Sequence, residues 1–415
     1  MHKYFFILGH SPQISQAEIE AVLEKLLGEH NIIAASDEVL IIGYKIYNNA
    51  SFQIKDLIRK LGGTIKIGKI LDEVELEEDS NIVTKISGKL TAERLLDKYF
   101  QQNTERINFG FSAYCLDSNI PKSISKKLLK LGLELKKELK RKGHSVRLVS
   151  SKEKTLSSVI VGENKLIEKG ADICLLISKD KIYLGRTLAV QEYKRFIQRD
   201  YARPDRDVKS GMLPPKLARI MVNLSQADPD DVLLDPFCGS GTILQEALLL
   251  GIKKVIGSDI SLKAVQDTRN NLEWLTKNYQ LPTTSYQLIT SDIKDLPSKF
   301  KEQVAVIVTE PFLGPPLKGN ESLEKIKTVS KELSELYLKS FRVFSQILKK
   351  NGRVVIVFPI FRKVNQEISL PIVSEIEQMG FQVQKNLLSN ARGGLVYSRP
   401  DQKVLREIFR FKKIY

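Results

Sequence analysis

Leu233-Leu234-Asp235-Pro236-Phe237-Cys238-Gly239-Ser240-Gly241-Thr242, followed by the apolar run Ile243 to Leu250, is the stretch that decides the fold. Val232 to Leu234 read as a buried strand, the two glycines as a tight turn, and Thr242 onward carries helical periodicity. A strand, a glycine loop and a helix in that order open a nucleotide-binding α/β sheet. Two common versions are excluded. A dinucleotide fingerprint needs a third glycine three residues after Gly241, where Leu244 stands, and a P-loop needs Gly-Lys-Ser/Thr, which is absent.

What remains suits S-adenosylmethionine, which has no phosphate to cradle. Gly239 and Gly241 let the backbone approach a ligand, and the Asp235 carboxylate accepts from its ammonium group. The Asp-Pro-Phe-x-Gly-Ser-Gly-Thr string, with Phe237 and Thr242, is far more specific than a bare Gly-x-Gly. It resembles the first motif of RNA guanine-N2 methyltransferases. Downstream, Lys254 to Gly257 reads as strand two, ending in Ser258-Asp259-Ile260. Asp259 stands about 20 residues past the glycine loop, where an acid accepts from ribose hydroxyls. Gln287 to Thr290 reads as strand three with Ser291-Asp292-Ile293 at its tip. Asp292 is placed to meet the adenine amino group, with Ile260 and Ile293 on either side of the ring.

Strand four, Val304 to Val308, runs into Thr309-Glu310-Pro311-Phe312-Leu313-Gly314-Pro315-Pro316. The carboxyl end of a central strand beside the glycine loop is where substrate chemistry sits in such sheets. An exocyclic amine on guanine is a poor nucleophile, because its lone pair is conjugated into the ring. A carboxylate and a backbone carbonyl that accept both amine hydrogens return density to nitrogen and aim it. Glu310, Pro311 and Phe312 are the expected acceptor, carbonyl and stacking ring. Amino-methyltransferases of the resembling family carry Asp-Pro-Pro-Tyr/Phe-Gly here. This sequence departs from that pattern: Glu310 is longer by a methylene, Leu313 replaces the aromatic, and Phe312 is displaced by one position. Phe312 stacking after a local loop rotation, a different base, and lost activity are all open at this point.

The composition sets bounds. At 415 residues the chain exceeds one comfortable core, and 42% hydrophobic with 27% charged residues is ordinary for a globular protein. A net charge of +16 points to a polyanion, nucleic acid before membrane. No apolar run reaches membrane-spanning length, and the apolar core of the N-terminal stretch is too short for a signal peptide. Cys115, Cys174 and Cys238 and the four histidines are scattered, so the expectation is a reduced, cytoplasmic protein without metal.

Residues 1–72 alternate as βαββαβ, a ferredoxin-like layout: strands Tyr4 to Leu8, Asn31 to Ala35, Val39 to Tyr44 and Thr64 to Leu71, a helix capped by Ser15, and another from Phe52 to Leu61. Residues 73–185 read as a second α/β unit, with helices over Ile82 to Tyr99 and Leu156 to Lys169. Between them a long helix from Pro121 to Lys142 has one apolar face, and a basic face holding Lys122, Lys126, Lys127, Lys130, Lys137 and Arg141. With Arg147, twelve basic residues stand against three acidic ones over 121–154, a concentration that fits a phosphate-tracking surface. The basic helix, Ser145-Val146-Arg147, Leu156-Ser157-Ser158-Val159 and Gly162 to Gly170 resemble a THUMP domain behind a ferredoxin-like domain. The resemblance implies a grip on the single-stranded acceptor end of tRNA.

Residues 186–210 alternate in charge and read as an exposed linker, and 211–415 as the catalytic domain. Gly211-Met212-Leu213-Pro214-Pro215-Lys216-Leu217-Ala218-Arg219, with the segment before it, is very similar to the start of the catalytic domain of THUMP-linked tRNA guanine-10 N2-methyltransferases. The tail Leu395 to Lys403 resembles the family's ending and is expected to supply the last strand; Arg392, Arg399 and Lys403 are candidate phosphate contacts. The fold expected is α/β: a Rossmann-like class I methyltransferase sheet preceded by a ferredoxin-like domain and an α/β THUMP domain, in a monomer. The resemblance implies methyl transfer from S-adenosylmethionine to the N2 amine of a tRNA guanine, position 10. A non-catalytic tRNA-binding protein that keeps the fold, and an amino-methyltransferase of another base, are the alternatives.

Overall fold

Alternating and continuous apolar runs lay down seventeen strands among the described residues of the computed structural model, which are 2–27, 30–44, 53–77, 81–100, 105–117, 120, 123–206, 212–281, 285–300, 303–363 and 366–415. They fall into two units. The first is built on one eight-stranded sheet: β1 (His2–Leu8), β2 (Asn31–Ala35), β3 (Val39–Tyr44), β4 (Thr64–Glu75), β5 (Ile107–Cys115), β6 (Val146–Leu148), β7 (Gly170–Ile177) and β8 (Lys181–Val190), ordered β2-β3-β1-β4-β8-β7-β5-β6. The first four strands keep the ferredoxin-like order. The boundary expected at residue 72 is not a break in the sheet. β4 runs past Leu71 to Glu75, and its second edge pairs antiparallel with β8 from Lys66 opposite Val190 to Glu75 opposite Lys181. A buried strand edge must find partners for its backbone groups, and β8 supplies them.

Other expectations are corrected in detail. The helix expected to be capped by Ser15 begins at Pro12, and Ser15 is buried inside it; its residues Gln13–Lys25, with Lys60–Gly63, group with the second unit. The Ile82 to Tyr99 helix is broken: Ile82–Ser87 stops at Gly88, and Ala92–Arg94 winds on into a π turn, Leu95–Tyr99. The Leu156 to Lys169 helix splits into Ser158–Glu163 and Leu166–Lys169 around Lys165, whose φ of +51° no helix accommodates. The basic helix is present as Ile124–Arg141, with Ile124, Leu128, Leu131, Leu135 and Leu139 buried. Phe52, Pro121 and Lys122, and the expected linker and motif residues Asp207 to Gly211, lie outside the described residues.

The segment read as an exposed linker is mostly regular structure among its described residues, with Thr187, Gln191, Phe196, Arg199 and Arg203 buried and Lys194, Ile197 and Tyr201 exposed. β8 continues to Val190 and a helix, Tyr193–Tyr201, follows. One of its charges is paired in the interior: Arg199 Nε donates to Glu246 Oε1 at 2.5 Å, and Arg219 from the later helix Pro215–Leu224 donates Nε to Glu246 Oε2 at 2.7 Å, all three buried.

The second unit holds a nine-stranded sheet: β9 (Val232–Asp235), β10 (Lys254–Asp259), β11 (Ser285–Thr290), β12 (Val304–Thr309), β13 (Leu348–Lys363), β14 (Gln366–Ser369), β15 (Phe381–Val383), β16 (Leu395–Tyr397) and β17 (Val404–Lys413). The order is β11-β10-β9-β12-β13-β17-β15, with β14 on β13 and β16 on β17. β9 through β13 are parallel and β17 is antiparallel to β13. Successive residues of β9 serve opposite faces: Leu233 packs with Leu217, Met221, Leu244 and Leu272, and Leu234 with Ile256, Ile307, Phe341 and Phe344. The last strand is Val404–Lys413, not the Leu395 to Lys403 tail, which contributes only the short β16. The strand expected over Phe381 to Leu388 ends at Val383.

Candidate active site

Strand order reverses between β9 and β12, and a crevice opens outside the carboxyl ends of strands at such a point. Here it is a cleft of about 580 Å³, within the range of small-ligand sites. Its lining includes Asp235, Phe237, Gly239, Thr242, Asp259, Ile260, Asp292, Ile293, Glu310, Pro311 and Phe312, so the sheet brings together all the expected cofactor and catalytic residues except Gly241, which turns the loop behind it.

Asp235, the last residue of β9, is 1% exposed. Its Oδ1 accepts from the Phe237 amide at 3.2 Å and the Thr309 hydroxyl at 2.7 Å. Burial pushes its carboxyl up to about 7 against these two donors, so a cation arriving in the cleft would favour its ionised form. Gly239 and Gly241 have φ of +51° and +80°. A Cβ on Gly241 would lie 2.8 Å from Thr268 Cγ2, while one on Gly239 would meet no atom within 4 Å. The loop is thus tight behind and open in front.

The other acids are held by backbone amides. Asp259 accepts from Gly239 N at 3.0 Å and Ser261 N at 2.9 Å. Asp292 caps the turn Ile293–Lys299 by accepting from Lys294 N at 2.9 Å, and Lys339 Nζ lies 3.5 Å away; the amide first and then the ammonium keep its carboxyl below the usual range. Ile293 is buried under the cleft and Ile260 stands 72% exposed at its rim. Thr242 accepts from Arg203 Nη1 at 2.7 Å, a contact from the segment read as linker.

β12 ends at Thr309 and delivers the catalytic loop. Pro311 is buried, Phe312 is 59% exposed, and Leu313 turns inward against the core. Tyr337 donates its hydroxyl to the Phe312 carbonyl at 3.3 Å, and Gly314 completes the bend at φ +99°. Phe312, displaced in sequence, therefore takes the outward position. Sequence reasoning missed the partner of Glu310. Arg406 on β17 grips its carboxylate through Nε at 2.5 Å and Nη2 at 3.0 Å, with both side chains almost buried at 9% and 12% exposure. The signal was an Arg-Glu pair inside the apolar run Val404 to Phe411.

The expected nucleic-acid contacts divide. Lys126, Lys127, Lys130, Lys137, Arg141 and Arg147 are exposed, as expected. Arg399 is exposed with its guanidinium on the Tyr397 hydroxyl at 3.0 and 3.1 Å. Arg392 is part-exposed and donates to the buried Glu407 carboxylate at 2.7 Å and the Leu370 carbonyl at 2.5 Å. Among the described residues, no cluster of His, Cys, Asp or Glu could hold a metal ion, and no helix is long and apolar enough to cross a membrane.

A family model described as "RMKL-like, methyltransferase domain" matches residues 203–387, and one described as "DNA methylase" matches 118–270. The tRNA (guanine(10)-N2)-dimethyltransferase of Methanothermobacter thermautotrophicus is 42% identical over 140 residues, 34% of this chain and 38% of that one. A probable tRNA (guanine(10)-N2)-dimethyltransferase of Methanothermococcus thermolithotrophicus is 34% identical over 165 residues, 39% of this chain and 89% of the relative. The Methanocaldococcus jannaschii enzyme of the same name is 24% identical across 83% of this chain and 92% of its own. The crystal structure of TrmN from Thermus thermophilus shares the fold over the whole of both chains, with a TM-score of 0.56 at 17% identity. Sheet order and cleft together define a class I methyltransferase. The chain belongs to the tRNA guanine-N2 methyltransferases, S-adenosylmethionine-dependent enzymes named for guanine 10.

Proposed function

We propose that this protein, a cytoplasmic monomer, methylates the exocyclic N2 of guanine 10 in tRNA. The observation that carries this is the Glu310-Pro311-Phe312 loop at the end of β12, opening into the same cleft as the Gly239–Gly241 turn. S-adenosylmethionine supplies, when bound, an electrophilic methyl group on a cationic sulfur. Asp235 takes its ammonium, Asp259 its ribose hydroxyls and Asp292 its adenine amine, with Phe237, Thr242, Ile260 and Ile293 against the rest. The cleft fits such a ligand: the loop is open in front of Gly239, and a buried carboxylate waits for a cation.

The base must leave its stack to reach the cleft, and Phe312 at the rim offers it a face. Glu310 and the Pro311 carbonyl accept the two amine hydrogens, which raises density on nitrogen and fixes its direction. No strong base is needed beforehand, because nitrogen releases a proton readily once it is alkylated and cationic. The rest of the RNA lies on basic surface. Residues 73–185 act as a THUMP domain for the acceptor end, with Lys126, Lys127, Lys130, Lys137, Arg141 and Arg147 on phosphates; Arg399 adds a further cation in the second unit. Leu129 and Leu133, exposed among those lysines, offer apolar surface to sugars and bases.

Nucleoside mass spectrometry of tRNA incubated with protein and cofactor tests the reading. N2-methylguanosine or its dimethyl form at position 10 is expected, with Glu310→Gln slowed about a hundredfold while still binding cofactor by calorimetry. Bound tRNA without any methylated guanine would leave a binding protein in its place, and a methylated adenine or cytosine would reassign the base.

A further inference from the structure

The family pattern puts an aspartate where this chain has Glu310, and the extra methylene needs an account. The chain supplies one in β17. Neighbouring residues of a strand face opposite sides of a sheet. Glu407 points to one side, where Asn390 Nδ2 and Arg392 Nη1 donate to it at 2.7 Å each. Arg406 points to the other and meets Glu310 with two donors. Sequence neighbours of opposite charge therefore do not neutralise each other; each has a distant partner. Arg406 does not line the cleft, whereas Glu310 does. The guanidinium thus stands behind the carboxylate and can act on the substrate only through it.

We propose that Arg406 is a positioning residue for methyl transfer: it fixes the Glu310 carboxylate in the one orientation that presents an acceptor to the amine. The inference rests on the role proposed above for Glu310. A two-point guanidinium–carboxylate fork fixes rotation as well as distance. The longer glutamate thereby becomes as restrained as a shorter acid would be. Each carboxylate oxygen has two lone pairs, so one occupied by Arg406 leaves another toward the cleft. Tyr397 on β16 stands opposite Arg406 in the sheet register and flanks the fork. Burial works against the charge of Arg406, and Glu310 more than compensates, so the guanidinium stays firmly protonated.

The test is single-turnover methylation at saturating cofactor over a range of tRNA concentrations, which separates the rate of the step from tRNA affinity. Arg406→Gln, which removes the charge and the fork, is expected to slow the step about a hundredfold with tRNA and cofactor affinities within about twofold of the parent. Arg406→Lys keeps the charge but not the fork; about tenfold slowing, again at unchanged affinities, is expected. Glu310→Asp, which restores the family's residue but falls short of Arg406, should also lose about tenfold or more. A rate for Arg406→Gln within about twofold of the parent, or a loss that lies wholly in tRNA affinity, overturns the proposal. So does loss of cofactor binding in Arg406→Lys, which would make the pair a structural brace. If Glu310→Gln were as fast as the parent, the role of Glu310 itself would fall. A slow Glu310→Gln beside an unaffected Arg406→Gln removes the positioning role alone.

Discussion

The hydroxyl of Thr309, at the tip of β12, donates to Asp235 Oδ1, at the tip of β9, at 2.7 Å. One hydrogen bond thus ties the strand that delivers the substrate loop to the strand that delivers the cofactor loop, at the point where the sheet reverses order. Burial holds the Asp235 carboxyl near 7 despite this donor.

Cofactor affinity should therefore depend on pH in a range where S-adenosylmethionine itself keeps its positive sulfur. A ligand ammonium binds the ionised carboxylate, so protons compete with it. The dissociation constant should rise about tenfold from pH 8 to 6 and tenfold more by pH 5. Thr309→Val removes a donor to the ionised form and should move this rise to higher pH. Stability runs the other way. With the folded pKa raised, the empty protein holds more protons than the unfolded chain between about pH 4 and 7, and this group's contribution declines as pH rises through that window. Calorimetric titrations from pH 5.5 to 8 decide it: a flat dissociation constant would mean that Asp235 does not meet the ammonium.

Glu246 carries two guanidinium groups in the core, Arg199 from the helix Tyr193–Tyr201 and Arg219 from Pro215–Leu224. Removing one partner of a buried ionic cluster leaves charge without compensation. Glu246→Ala should destabilise the second unit by about 3–5 kcal/mol, read as an earlier urea transition of Trp274 fluorescence, the only tryptophan in the chain. Replacing all three together, with Glu246→Leu, Arg199→Met and Arg219→Met, should recover most of that loss. Equal damage from the triple replacement would show that the cluster stabilises by more than mutual neutralisation.

The parts legible in sequence were those set by local pattern. The apolar run Val304 to Val308 reads as a buried strand and is one, paired parallel on both edges, and the loops after β9, β10 and β12 announced themselves by acids at strand tips. What escaped was set by partners distant in the chain. Nothing local says that β4 continues to Glu75, because its extension is stabilised by β8 more than a hundred residues later. Arg406 lies 96 positions from Glu310, across a connection that folds β17 back antiparallel to β13. Alternating charge from Arg186 to Asp207 resembled a solvated linker because buried ion pairs and surface charges share one composition; only Glu246 tells them apart.

The basic face of the helix Ile124–Arg141 gives a charge test in the first unit. Lys126, Lys127, Lys130 and Lys137 are exposed, and the helix is anchored by its leucines, so replacing surface charge leaves packing intact. Lys126→Glu with Lys130→Glu should weaken tRNA binding and lower the slope of log affinity against log salt by about 0.7–0.9 for each phosphate no longer neutralised. Cofactor affinity should not change. An unaltered salt slope would remove this face from the RNA path.

Phe312 tests whether the displaced aromatic replaces the missing one. Phe312 is 59% exposed at the cleft, whereas Leu313, in the family's aromatic position, is turned into the core. The Phe312 carbonyl, held by Tyr337, fixes the backbone independently of the ring, so truncating the side chain leaves the loop anchored. Stacking of a base on an aromatic ring contributes about 1–3 kcal/mol. Phe312→Ala should thus lower kcat/KM for tRNA by roughly 5- to 150-fold, with cofactor binding intact, and Phe312→Tyr should retain most of the activity. Leu313→Ala, by contrast, removes packing and should lower thermal stability more than it alters base recognition. If Phe312→Ala methylated as fast as the parent while Leu313→Ala lost base recognition, the loop would have to turn over when RNA binds, and the exposed ring would have no part in holding the guanine.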